Sequence, residues 1–122
     1  MHEYSVVESL LLRIADEARR HRAKSVSRVA VRIGRVSGVE PALFETAFRC
    51  LRENTVCAGA ELQIEIVTAT FQCVRCDVEF ESEDPCGSLC PRCDLPARLR
   101  SGDELSLERI ELEVPVSEAP RE

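Results

Sequence analysis

The apolar positions change period along the chain, and those changes mark out the elements. Val6, Val7, Leu10, Leu11, Ile14 and Ala18 recur at helical spacing. Ser5 and Glu8 form an S-x-x-E pattern, which can satisfy the free amides of a helix start, so a first helix is predicted from Ser5. It should fade between His21 and Lys24. Val29, Val31 and Ile33 alternate, which predicts a strand. Gly34 and Gly38 bracket a loop. Pro41 suits the first turn of a second helix, where its missing N–H costs nothing. Leu43, Phe44, Ala47, Phe48 and Leu51 supply the apolar face of that helix. Leu62, Ile64 and Ile66 alternate again and predict a second strand. Leu105 and Leu107 open a last strand, which Ile110, Leu112 and Val114 continue one residue out of phase. The shift at Glu108-Arg109 predicts a bulge or bend.

Residues 71–100 break the pattern. They hold five of the seven cysteines and few aliphatics, so they cannot make a hydrophobic core of their own. The expected fold class is therefore α+β: two helices packed on a small, mostly three-stranded mixed sheet, with an inserted four-cysteine zinc-ribbon module. Residues 1–70 with 101–114 would form a discontinuous α/β domain and residues 71–100 the insertion. Residues 115–122 read as a loose tail. The length of 122 residues fits one domain, or one domain with a small module.

Composition narrows the function. Hydrophobic residues at 44% and charged residues at 31% are ordinary for a globular protein. No apolar run approaches the roughly 18 residues of a membrane span. The opening Met1-His2-Glu3-Tyr4 lacks the basic-then-apolar layout of a secretory signal, so a cytoplasmic location and reduced cysteines are expected. The net charge of −6 gives no electrostatic support to bulk nucleic-acid binding. Charge is unevenly placed: +4 over residues 1–36 and −10 over residues 37–122. The basic run Arg19, Arg20, Arg22 and Lys24 reads either as a solvated helix end or as a docking patch for an acidic partner.

Cys73-Val74-Arg75-Cys76 and Cys90-Pro91-Arg92-Cys93 are two C-x2-C knuckles. Each brings two sulfurs to one ion, and the hairpin between them brings the knuckles together. Four thiolates make the closed tetrahedral set that zinc takes in structural sites. An iron–sulfur centre or a redox dithiol are the alternatives. With every position filled by protein, the ion should contribute folding energy rather than chemistry. Arg75 and Arg92 would offset its charge, and Phe71 and Phe80 would cap the hairpin. Cys86 is a spare thiol that could replace a ligand if its loop shifted. Cys50 and Cys57 read as small apolar or surface residues.

The N-terminus holds a second candidate. The Met1 amine, the His2 amide nitrogen and the His2 imidazole can close fused five- and six-membered rings in one plane. Planar nitrogen donors suit Ni(II) or Cu(II) better than tetrahedral zinc. Glu3 offers an oxygen nearby. An early histidine also arises by chance, and the three residues alone do not decide between the two readings.

Together these pieces resemble the HypA/HybF family of hydrogenase-maturation nickel metallochaperones. The resemblance rests on Met1-His2-Glu3-Tyr4-Ser5, Ile33-Gly34-Arg35-Val36-Ser37-Gly38-Val39-Glu40-Pro41, Gly59-Ala60-Glu61-Leu62, the two knuckles, and Gly102-Asp103-Glu104-Leu105 leading into Ile110-Glu111. It covers the chain to about Val114. The resemblance implies a non-enzymatic carrier with Ni(II) as exchangeable cargo and Zn(II) as structural cofactor. His2 would be the main nickel ligand, with the Met1 amine and Glu3 as a further donor. Cys73, Cys76, Cys90 and Cys93 would hold zinc. The implied partners are a HypB-type GTPase and the [NiFe]-hydrogenase large subunit, or urease accessory proteins in some members, with the carrier as monomer or homodimer. Some members carry histidines beside the knuckles; here Asp77 follows Cys76 and Asp94 follows Cys93. The competing reading is a zinc-ribbon protein-interaction or nucleic-acid-binding module with no nickel role. The acidic C-terminal two thirds speaks against the nucleic-acid form. No nucleophile–base pair or phosphate loop suggests an enzyme.

Overall fold

A computed structural model describes residues 2–83 and 89–115. The order of elements is α1 (His2–Arg20), β1 (Ser25–Gly34), α2 (Pro41–Leu51), β2 (Glu61–Val67), β3 (Ala69–Cys73), β4 (Glu79–Ser82), β5 (Ala97–Ser101) and β6 (Leu105–Glu113). The strands form two three-stranded sheets. One is mixed, in the order β2-β1-β6; the other is antiparallel, in the order β4-β3-β5. The expected fold class is present. No described helix is long and apolar enough to cross a membrane.

The helices bury the stripes that their spacing predicts. Val7, Leu10, Leu11, Ile14 and Ala18 of α1 are buried, as are Phe44, Ala47 and Phe48 of α2. Val26, Val29, Val31 and Ile33 of β1 join the buried core. Leu43 departs from expectation and is 53% exposed. It sits one residue, about 100°, off the stripe through Phe44, Ala47 and Phe48. Ile66 is also more exposed than its alternation implied.

The start of α1 is a correction. The helix opens at His2, so Ser5 lies inside it and caps nothing. No helix breaker stands before Ser5, and Glu3 favours an early start. An acidic side chain in the first turn suits the helix dipole. The Glu3 carboxylate is also buried and accepts the backbone N–H of Glu40 at 3.0 Å. Glu40 is the N-cap of α2 and makes no side-chain cap of its own.

The far end of α1 closes as a Schellman motif. The Ala23 N–H donates to the Ala18 carbonyl at 2.8 Å, and the Arg22 N–H to Arg19 at 3.1 Å. Arg22 takes the left-handed conformation this needs, with φ +57°. The basic patch is solvated: Arg19 pairs with Asp16, and Arg20 with Glu17 at 2.9 Å. β6 runs without interruption, and the exposed pair Glu108 and Arg109 marks its change of phase.

Contacts divide the chain into two compact units. The first is Met1–Val31, Glu40–Gln63 and Leu107–Glu122; the second is Arg32–Val39 and Ile64–Ser106. In the first, Arg28 pairs with Glu61 at 3.3 Å and Glu111 at 3.5 Å. In the second, the loop after β1 is drawn against the β5–β6 connection. The Gly34 N–H donates to Glu104 and the Val36 N–H to Gly102, both at 2.9 Å.

Candidate metal centre

The second unit carries the four knuckle cysteines. β3 is its central strand, with Phe71 opposite Phe80 of β4 and Leu99 of β5. The Phe71 and Phe80 rings stack with centroids 5.9 Å apart, the contact expected of them. Cys73 is the last residue of β3, so strand pairing fixes the first sulfur.

The two knuckles repeat one geometry. The Cys73 N–H donates to Val78 at 3.0 Å, and the Asp77 N–H returns to the Cys73 carbonyl at 3.2 Å. The Cys90 N–H likewise donates to Leu95, and the Asp94 N–H to Cys90, both at 2.8 Å. Each loop closes through a left-handed residue, Asp77 at φ +63° and Asp94 at φ +62°. Asp tolerates that conformation better than most residues with a side chain. Within each loop, two backbone amides point at the first sulfur. Arg75 and Cys76 donate to Cys73 Sγ at 3.4 and 3.5 Å; Arg92 and Cys93 donate to Cys90 Sγ, both at 3.4 Å.

The four Sγ atoms all lie within 4.8 Å of one another, and Cys76 and Cys90 approach to 3.6 Å. A tetrahedron of sulfurs about 2.3 Å from a central ion has edges of about 3.8 Å. The residues therefore fit one tetrahedral metal ion. Cys73 and Cys90 are fully buried, whereas Cys76 and Cys93 are half-buried. Without an ion the thiols differ strongly. The amides of Cys76 and Arg75 hold Cys73 down to about 6. Hydrogen bonding with Cys76 pushes Cys93 up to about 12, with burial adding to it. A bound cation would remove that competition by taking all four as thiolates.

Outside the cysteines, a polar chain braces the first knuckle. Arg100 donates to Gln72 Oε1 at 2.6 Å and pairs with Glu79 at 3.4 Å, while Gln72 Nε2 reaches the Asp77 carboxylate at 3.4 Å. Sequence reasoning missed Gln72, Arg100 and the turn role of the two aspartates. For Asp77 and Asp94 the signal was available, since the residue after C-x2-C must turn left-handed to close the loop. For Gln72 and Arg100 there was none, because strand pairing alone brings them together.

The other candidates are placed as follows. His2 opens α1, and Glu3 is the buried partner of the Glu40 amide. Met1 and Cys86 lie outside the described residues, as does the expected tail beyond Pro115. His21 is exposed beside Glu17. Cys50 is exposed. Cys57 is buried, which pushes its thiol up to about 11.

Residues 1–112 match the family described as hydrogenase/urease nickel incorporation, metallochaperone, hypA. The chain is 47% identical over 115 residues to the hydrogenase maturation factor HypA of Aquifex aeolicus, covering 93% of this chain and 99% of that protein. Its fold is similar to the solution structure of a HypA protein, with a TM-score of 0.72 at 32% identity over 94% of this chain and 98% of the other. It is also similar to the solution structure of the Ni metallochaperone HypA from Helicobacter pylori, with a TM-score of 0.67 at 30% identity over 93% and 98%.

Proposed function

Because the chain belongs to the HypA family of nickel-incorporation metallochaperones, we propose that it carries Ni(II) on its N-terminus and surrenders it during hydrogenase maturation. The observation behind this reading is that α1 opens at His2. The first amides of a helix have no acceptor within it. The His2 amide nitrogen therefore enters a chelate without breaking a helical hydrogen bond. Ionised, it also carries negative charge at the positive end of the helix dipole, which favours it. The Met1 amine and the His2 imidazole complete a planar set of three nitrogens suited to Ni(II). Glu3 already accepts the Glu40 amide; as a further oxygen donor it would share that carboxylate between the two tasks.

In this reading Cys73, Cys76, Cys90 and Cys93 hold a structural Zn(II), and nickel is cargo. The chain catalyses nothing itself and works in the cytoplasm as a monomer or homodimer. The [NiFe]-hydrogenase large subunit, or urease accessory proteins, would receive the nickel, with a HypB-type GTPase supplying any hydrolysis. Calorimetric nickel titration of the zinc-loaded, untagged chain tests the N-terminal chelate. Wild type should bind about one nickel per chain, and His2→Ala should lose that binding. Equal binding by both, or by neither, would overturn it.

A further inference from the structure

The two sulfurs of each knuckle are not equivalent. The inner pair, Cys73 and Cys90, is fully buried, and each sulfur accepts two backbone N–H groups. The outer pair, Cys76 and Cys93, is half-buried and accepts no backbone N–H from the described residues. Once an ion has taken all four as thiolates, protonation no longer separates them. What remains is access to solvent and the electron density on sulfur. An N–H donor draws density from a thiolate and must be partly released when the sulfur reacts, so it protects the inner pair.

We propose that Cys76 and Cys93 are an oxidation site, through which hydrogen peroxide opens the metal centre. The proposal rests on the zinc reading of the four cysteines. The Cys76 thiolate attacks one peroxide oxygen, the O–O bond breaks, and hydroxide leaves, making Cys76 a sulfenic acid. The Cys93 thiolate then attacks the Cys76 sulfur, an S–S bond forms, the S–O bond breaks, and a second hydroxide leaves. Two solvent protons convert the hydroxides to water. The sulfurs supply two electrons and the peroxide accepts them. All four sulfurs lie within 4.8 Å of one another, so the bond needs only a local shift of the outer two. Two ligands are then gone and the ion is released. Because the module has few aliphatics of its own, loss of the ion removes much of what holds β3, β4 and β5 around it.

The test uses the full chain carrying Cys50→Ser, which removes the exposed thiol of α2. Zinc content is measured first. Hydrogen peroxide is then added in steps, zinc release is followed with a chromogenic chelator, and each cysteine is scored by differential alkylation and peptide mass spectrometry. Cys76 and Cys93 should be lost at least about tenfold faster than Cys73 and Cys90, from the two hydrogen bonds that shield each inner sulfur. One zinc should leave per disulfide formed. Loss of Cys73 or Cys90 first, equal loss of all four, or zinc release through modification elsewhere would overturn the proposal. A chain that carries no zinc before peroxide is added would instead overturn the zinc reading, and this site with it.

Discussion

Gly34→Ala tests how closely two backbones approach in the second unit. A Cβ at Gly34 would lie 2.1 Å from the Gly102 carbonyl oxygen and 2.3 Å from its carbon. Both are backbone atoms, so no side chain can swing aside. Gly102 cannot retreat freely, because a Cβ on it would itself meet Ala69 Cα at 2.5 Å, and its φ is +101°. Ordinary contact begins near 3.4 Å, so the segments would have to part by roughly 1 Å. That stretches the 2.9 Å bond from Val36 N–H to the Gly102 carbonyl out of hydrogen-bond range. The bond from Gly34 N–H to Glu104, also 2.9 Å, belongs to the same crossing. Each buried group left unpaired costs about 1–3 kcal/mol, so losing both bonds should cost about 2–6 kcal/mol. A domain of this size has only about 5–15 kcal/mol in total. Urea unfolding of the zinc-loaded protein, followed by circular dichroism, measures the loss. Gly59→Ala is the control, since nothing lies within 4 Å of its Cβ position. A Gly34→Ala cost below about 1 kcal/mol, the level of an unexceptional substitution, would mean that the strands separate freely and that the crossing does not need glycine.

Two further outcomes follow from local geometry. Arg22 sits at φ +57° in the turn that ends α1, so Arg22→Gly should raise stability by about 0.5–1 kcal/mol; a lower thermal midpoint would show that the Arg22 side chain matters more than its backbone. Burial raises the Cys57 thiol from 9.0 to about 11. The folded state therefore holds this proton more tightly than the unfolded one, and the contribution is intact below pH 9 and lost as pH rises through 11. The urea midpoint of wild type relative to Cys57→Ala should fall across that range, and a difference independent of pH would refute the assignment.

The pattern of apolar residues made most of the first unit legible. The stripe Val7, Leu10, Leu11, Ile14, Ala18 and the β1 alternation are buried as read. The start of α1 was not legible, because the S-x-x-E signal at Ser5 competes with a tertiary contact of Glu3 that no local pattern displays. The ribbon inverts the situation. Its strands carry little hydrophobic signal beyond Ala69 and Phe71, yet the positions of its sulfurs follow from spacing alone. A tetrathiolate site fixes its own geometry, so C-x2-C is as informative as a heptad. Gly34 and Gly102 stand between these cases. Both belong to segments on which the family resemblance rests, but only the fold shows that their backbones touch.

The four-cysteine cluster and the proposed nickel chelate differ in how the backbone commits to them. Each knuckle sulfur sits in a loop closed by backbone hydrogen bonds, and the inner sulfurs also accept amides. Removing such an ion would leave four crowded thiols between the two loops it joined. The proposed nickel chelate has the opposite character. Its amide nitrogen belongs to the first turn of α1, where no helical acceptor waits for it. Releasing nickel from it would break no helical hydrogen bond. Protons would compete with nickel for the amine and the imidazole, so the proposed site should hold nickel less tightly as pH falls. A structural ion should be costly to remove and a cargo ion cheap. In the proposed assignment, the closed knuckles hold the structural ion and the open helix start holds the cargo.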